Sequence, residues 1–269
     1  MKRLKIYGER NSGTNFVTRL IRRNFRCELV PGTLAEARPG YREIIEDELQ
    51  ASIADEGKRI LARQLRLDEF FHGNLWATLG WKHCAPPVDT IRTHPDRNET
   101  LFVTVTKNPY AWVLSLFRRP YENTAIDKAN DLSSFINEPW ITGSRENTSA
   151  YLESPVELWN LKTSGYSRLA KVANTVNVRY EDLLAEPMQF LQLIDNYFER
   201  RQKYFEVPEE STKSSDIGVK DFSYYLDYYL QERWRKDLEH KDIVAINQFL
   251  DTDIVEQAGY SLLPAADGQ

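Results

Sequence analysis

The sequence predicts an α/β protein, one domain over residues 1–269 with a central parallel sheet flanked by helices. Three observations carry that prediction. Short apolar, β-branched runs alternate with segments of helical length, the order that gives right-handed βαβ units and a sheet covered on both faces. The clearest run, Leu101-Phe102-Val103-Thr104-Val105-Thr106, leads into Asn108-Pro109, a capping residue followed by a proline suited to the first helical position. No internal repeat and no linker rich in Pro, Gly or Ser divides the chain.

Taken in order, Leu4-Lys5-Ile6-Tyr7 reads as a short first strand and Asn15 to Phe25 as the helix after it. Ala77 to His83 is the second strand candidate. Leu101 to Thr106 is the third, followed by a helix from Pro109 to about Phe117. Thr175-Val176-Asn177-Val178-Arg179-Tyr180 is the fourth, with a helix from Pro187 to Phe198. Arg38 to Trp76 and Glu206 to Tyr229 do not fit the alternation and read as helical or loop insertions around the sheet, the C-terminal region being helical.

Apolar residues at 41% and charged residues at 28%, with 12 Gly and 12 Pro, exclude a disordered, collagen-like or low-complexity chain. A formal charge of −5 argues against a protein that coats nucleic acid. The two cysteines, Cys27 and Cys84, are too few for a disulfide framework and suit a reducing compartment. No run approaches the roughly 18 apolar residues of a membrane span, and Met1-Lys2-Arg3 leads into no signal-like apolar stretch. The expectation is a cytoplasmic protein with no membrane partner. Asn98-Glu99-Thr100 and Asn147-Thr148-Ser149 then fit the glycosylation pattern only by chance. The oligomeric state stays open.

Ligands of open α/β sheets bind beyond the carboxyl ends of the strands, so the chemistry belongs at three strand ends. The first reads Tyr7-Gly8-Glu9-Arg10-Asn11-Ser12-Gly13-Thr14-Asn15-Phe16. A strand, a loop with glycines and hydroxyls, then a helix can aim backbone N–H groups and a positive helix terminus at one phosphate. Gly8 and Gly13 keep the Walker A glycine spacing, but Thr14 and Asn15 stand where its Lys and Ser/Thr belong, which speaks against a nucleoside triphosphatase. The plainer alternative is an ordinary tight strand-to-helix turn.

The third strand's end reads Val105-Thr106-Lys107-Asn108-Pro109, with Ser115 on the helix that follows. Here the sequence resembles the sulfotransferases that use 3′-phosphoadenosine 5′-phosphosulfate (PAPS). That family has a basic residue, Asp or Asn, and Pro at a strand end, and a serine on the next helix. The resemblance implies a P-loop NTPase-like fold, and that Lys107, in place of the family's Arg, and Ser115 hold the donor's 3′-phosphate. It also aligns Asn11-Ser12-Gly13-Thr14-Asn15-Phe16 with the family's 5′-phosphosulfate loop, Lys-Ser-Gly-Thr-Thr-Trp. Ser12, Gly13 and Thr14 are identical, Phe16 replaces a Trp that packs on adenine, and Asn11 replaces the loop lysine. Arg10 is its substitute if the loop turns that side chain inward. Val178-Arg179-Tyr180-Glu181-Asp182-Leu183 resembles the segment whose tyrosine, here Tyr180, lies near the adenine.

The same resemblance implies that His83, in Trp81-Lys82-His83-Cys84-Ala85-Pro86-Pro87, is the general base. The family's lysine lies two residues before its histidine; Lys82 lies one before. Along a strand Lys82 and His83 would point to opposite faces, which leaves Lys82 as a sulfuryl contact only if the strand has ended. The expected reaction is in-line transfer to a hydroxyl or amine of a small-molecule or carbohydrate acceptor, neutral or cationic given the net acidity, with PAP released. Arg10 and the Ser12 to Thr14 amides would stabilise the leaving phosphate. Segments 30–76 and 120–160 would shape the acceptor pocket.

No metal is expected, since no His, Cys or carboxylate grouping has ligand spacing. Arg19, Arg22, Arg23 and Arg26 read as a solvated helix face, and Tyr224, Tyr225, Tyr228 and Tyr229 as helix packing. The family's C-terminal Arg-Lys-Gly segment is missing, with Lys213, Lys220 and Arg233 as candidate replacements. Two other readings stay open: an ATP-dependent small-molecule kinase on the same fold, and a catalytically inactive relative that holds nucleotide or a sulfate ester.

Overall fold

Alternation in Leu4-Lys5-Ile6-Tyr7 decides how the first strand, β1 (Arg3–Gly8), sits in the sheet. Leu4 and Ile6 face a core shared with Leu101, Val103 and Val105, while Tyr7 stacks on Phe102 on the opposite side, ring centroids 6.3 Å apart. Both faces are therefore buried, as a parallel sheet requires. The computed structural model describes residues 1–121, 129, 131–209 and 221–265.

After β1 the chain forms α1 (Thr14–Asn24) and the two-residue edge strand β2 (Glu28–Leu29). The helical hairpin α2 (Tyr41–Ser52) and α3 (Glu56–Gly73) comes next. Strand β3 (Thr100–Thr106) leads to α4 (Pro109–Arg118), capped by Asn108, whose Oδ1 accepts from the Tyr110 and Ala111 amides at 3.1 and 3.4 Å. Then follow α5 (Pro155–Ala170), β4 (Thr175–Arg179), α6 (Tyr180–Ala185), α7 (Pro187–Asp195) and α8 (Phe222–Leu230). Two further helices, His240–Phe249 and Thr252–Gln257, follow. The main sheet runs β2-β1-β3-β4, all parallel, with Arg3 opposite Thr100 and Gly8 opposite Val105.

Helices cover both faces. Phe16, Val17, Leu20 and Ile21 of α1 and Phe190, Leu191 and Ile194 of α7 pack with Leu4 and Ile6. Ile91, with Tyr166 and Leu169 of α5, packs with Tyr7 and Phe102. The α/β class and the parallel sheet predicted from sequence are thus what the chain adopts, and residues 38–76, expected as helix or loop, are largely helical. Ile45, Leu49, Phe70 and Phe71 give that hairpin a small core of its own.

One predicted strand is not there. Leu75–Thr78 is a turn of helix, and Leu79 and Gly80 follow with φ of 55° and 87°. Two left-handed residues in succession cannot continue a strand, so 79–84 is a turn. Among the described residues its ladder-like contacts are Lys82 N donating to Gly32 O and Gly8 N donating to Lys82 O, both at 2.9 Å. No helix among the described residues is long and apolar enough to cross a membrane.

Candidate functional site

The loop between β1 and α1 is built for close approach. Asn11 and Gly13 are left-handed, with φ of 64° and 92°, and Ser12 N donates back to Glu9 O at 3.1 Å. The ring of Tyr180, buried at the start of α6, lies against Gly13 so closely that a Cβ there would collide with it. A Cβ on Gly8 would meet Thr14 Cγ2 at 2.6 Å and Ser12 Oγ at 2.7 Å. Gly13 is the N-cap of α1 and no side chain caps the helix, nor does its first turn hold an acidic residue. The positive end of α1 is thus left for an anion. Thr14 is buried there, Asn15 exposed, and Phe16 is buried in the core, stacked on Phe222 at 5.5 Å.

Lys107 and Ser115 come together beside this loop. Lys107 Nζ donates to Tyr229 Oη at 2.6 Å, Ser115 Oγ at 3.0 Å and Asn11 O at 3.4 Å. Asn11 Nδ2 donates to Ser115 O at 3.4 Å. Lys107 is 1% exposed, and among the described residues no carboxylate lies within ion-pair distance of it. Burial pulls its ammonium down to about 7, with Glu181 opposing and Arg118 adding to the fall. A buried cation resting on neutral oxygens, next to an uncapped helix start, is short of negative charge. The Ser12 hydroxyl is buried too, with no hydrogen-bond partner among the described residues.

Because 79–84 is a turn, the strand alternation that would send Lys82 and His83 to opposite faces does not apply. Lys82 Nζ donates to Asn15 Oδ1 at 2.9 Å, and burial lowers its pKa, Glu36 opposing and Arg22 adding. Nδ1 of the half-buried His83 lies 2.6 Å from Gly8 O. A carbonyl only accepts, so Nδ1 carries the hydrogen and Nε2 holds the lone pair. Burial first, then Lys82 and Arg10, hold the imidazole well below its ordinary pKa, with the Gly8 hydrogen bond opposing. The lowered pKa favours the neutral ring, with its lone pair on Nε2.

Arg10 enters a buried network. Its guanidinium pairs with Glu9 at 3.1 Å and with Glu146, and Lys162 Nζ pairs with both carboxylates. Burial works against the Arg10 charge, but Glu146 and Glu9 hold its pKa above the ordinary value. The Trp81 ring lies 4.5 Å from the Arg10 guanidinium and 4.8 Å from that of Arg145. Arg10's charge is thus matched by two carboxylates.

Glu9, Glu146 and Lys162 are the residues that sequence reasoning missed, and Tyr229, read as helix packing, also meets Lys107. One signal was available for Lys162: Ser154-Pro155-Val156-Glu157 is a capping pattern, and Ser154 Oγ does accept from Val156 N at 3.2 Å at the head of α5. Of the candidate C-terminal cations, Arg233 pairs with Asp227 at 2.7 Å, while Lys213 and Lys220 lie outside the described residues. Among the described residues no group of three or more His, Cys, Asp or Glu could hold a metal ion. Arg22 and Arg26 are exposed, facing Glu36 and Glu199, and Tyr225 and Tyr229 are the buried side of α8.

No protein-family model matches this chain, and no curated protein matches it. Among solved structures it is similar to the sulfotransferase domain from the curacin biosynthetic pathway, at 14% identity and a TM-score of 0.46 over 97% of this chain and 98% of that one. It is also similar to the sulfotransferase domain from the Synechococcus PCC 7002 olefin synthase, at 13% identity and a TM-score of 0.37 over 93% and 94% of the two chains. Both scores fall below 0.5, so function has to be argued from this chain's own residues.

Proposed function

We propose that the chain is a PAPS-dependent sulfotransferase acting on a hydroxyl or amine of a small-molecule or glycan acceptor, neutral or cationic. The supporting observation is convergence on one loop of groups far apart in sequence. They are the carboxylate-free Lys107 ammonium with Ser115, the uncapped start of α1, and His83, whose Nδ1 meets the Gly8 carbonyl. These residues fit the donor: its 3′-phosphate would supply the negative charge that Lys107 lacks, and its 5′ end would take the α1 amides and Lys82. When bound, PAPS supplies an activated sulfuryl group for in-line transfer and leaves as PAP. The residues of this chain do the rest. Lys107 and Ser115 hold, the loop amides and Lys82 orient and neutralise, and His83 Nε2 receives the acceptor's proton. Arg10 acts on the loop, through Glu9 and Glu146.

Incubation with labelled PAPS and a panel of alcohols, sugars and amines, read by mass spectrometry, should give a sulfated product. Magnesium-dependent ATP turnover with no such product would overturn the reading in favour of a kinase. Nucleotide binding without transfer would favour a non-catalytic binding protein.

PAP affinity should carry the signature of Lys107. Free Lys107 titrates at about 7, and an adjacent phosphate favours the ammonium, so binding above that pH takes up a proton. Affinity should fall as pH rises through 7 to 9, by up to about tenfold per unit. Calorimetry in buffers of different ionisation heat should show an uptake of about one proton at about pH 8. Lys107→Met should erase the uptake and weaken binding about tenfold to a hundredfold, as loss of a charged hydrogen bond does. A pH-independent Kd in the wild-type protein would remove Lys107 from the site.

A further inference from the structure

Lys5 stands in the middle of β1 with no solvent exposure, between Leu4 and Ile6. Its ammonium donates to three backbone carbonyls: Pro31 at 2.8 Å, Thr78 at 2.6 Å and Gly80 at 2.7 Å. Its three hydrogens are thereby used up, and among the described residues no carboxylate lies within ion-pair distance of it. Two residues along the same face of the strand, Tyr7 Oη donates to Leu79 O. Two side chains of one strand therefore hold the carbonyls of three successive residues, 78, 79 and 80.

Two of those carbonyls belong to the left-handed pair that replaces the predicted second strand, and the third ends the helical turn just before it. A leucine rarely adopts φ of 55° and must be held there from outside. Lys82 and His83 follow directly, and Lys82 is stitched on both sides by the Gly32 and Gly8 hydrogen bonds. An apolar side chain at position 5 would suit the buried face of β1 without desolvating a charge. What the lysine supplies is a fixed path for the turn that carries the base.

We propose that Lys5 and Tyr7 are positioning residues for the transfer, fixing turn 78–80 so that His83 meets the Gly8 carbonyl through Nδ1 and keeps Nε2 free for the acceptor's proton. The inference rests on reading His83 as the base. Its test does not depend on that reading.

Two substitutions are made in the full chain: Tyr7→Phe, which removes one hydrogen bond and keeps the ring, and Lys5→Met, which keeps most of the length. Nitrogen NMR of the imidazole reports which His83 nitrogen carries the hydrogen. The expected result is one tautomer, Nδ1–H, in the wild type and a mixture in both variants. Transfer kcat should fall about tenfold in Tyr7→Phe and about a hundredfold in Lys5→Met, with the Kd for PAP within a few-fold, because a 1 Å misplacement can cost that much. A folded variant that keeps the single tautomer overturns the inference, whatever its kcat or melting temperature. If Lys5→Met does not fold, Tyr7→Phe decides alone. If no acceptor is sulfated even by the wild type, the transfer reading fails by itself and the tautomer still decides whether Lys5 and Tyr7 position His83.

Discussion

His83→Ala is expected to lower transfer by about a hundredfold to ten-thousandfold, the range that a positioned general base supplies, while the Kd for PAP stays within a few-fold. The separation follows from geometry. His83 touches the loop through the Gly8 carbonyl, whereas Lys107 and Ser115 reach it at Asn11. The acid limb of the wild-type profile tests the same assignment. Because burial, Lys82 and Arg10 hold the imidazole well below 6.5, kcat/KM should stay flat as pH falls through 6.5 and drop only below that. Stability runs with the same sign. Below 6.5 the unfolded chain takes up the proton that folded His83 refuses, so this residue's contribution is lost as pH falls from 6.5 towards its folded pKa. A His83→Ala protein with wild-type turnover would remove it from the role.

Lys162→Met should destabilise the fold by about 3–5 kcal/mol, the usual result of removing one partner from a buried ion network. Lys162 is 1% exposed and pairs with both Glu9 and Glu146, leaving Arg10 alone to match two buried carboxylates when it is gone. In the wild type burial pushes Glu146 up, but Arg10 and Lys162 prevail and hold it at about 2. Its stabilisation is therefore complete above its ordinary pKa of 4.5 and lost as pH falls from there through about 2. In Lys162→Met the folded pKa rises, so this contribution is smaller and is already lost at a higher pH. Urea unfolding at neutral pH and an acid titration by circular dichroism measure both effects. Adding Glu146→Gln should restore part of the stability, since the two share one interaction. A single variant within about 1 kcal/mol of wild type would show that the network does not hold the loop.

Strands β1, β3 and β4 were legible because their runs are short, β-branched and bounded by turn residues. That the loop, Lys107 and Ser115 lie together could be anticipated because their resemblance to known motifs falls within strand-to-helix junctions of one sheet. Leu79-Gly80-Trp81 was misread because its apolar content looks like a strand, while the left-handed pair that breaks it is imposed by contacts from Lys5 and Tyr7, far away in the chain. The ion network was invisible for a related reason. Glu9 and Lys162 are 153 residues apart, and a lone lysine within a helix reads as solvated until the fold shows what lies over it.

Residues 145 and 146 are neighbours of opposite charge that pair with different elements. Arg145 pairs with Asp68 of α3 at 2.5 Å, and Glu146 pairs with Arg10 of the loop and Lys162 of α5. The helical hairpin and the loop are thus wired through one dipeptide. The hairpin is consequently not a cassette to be exchanged freely for another. A graft that drops Asp68 strands Arg145 beside Glu146, so any replacement hairpin has to keep a carboxylate for Arg145.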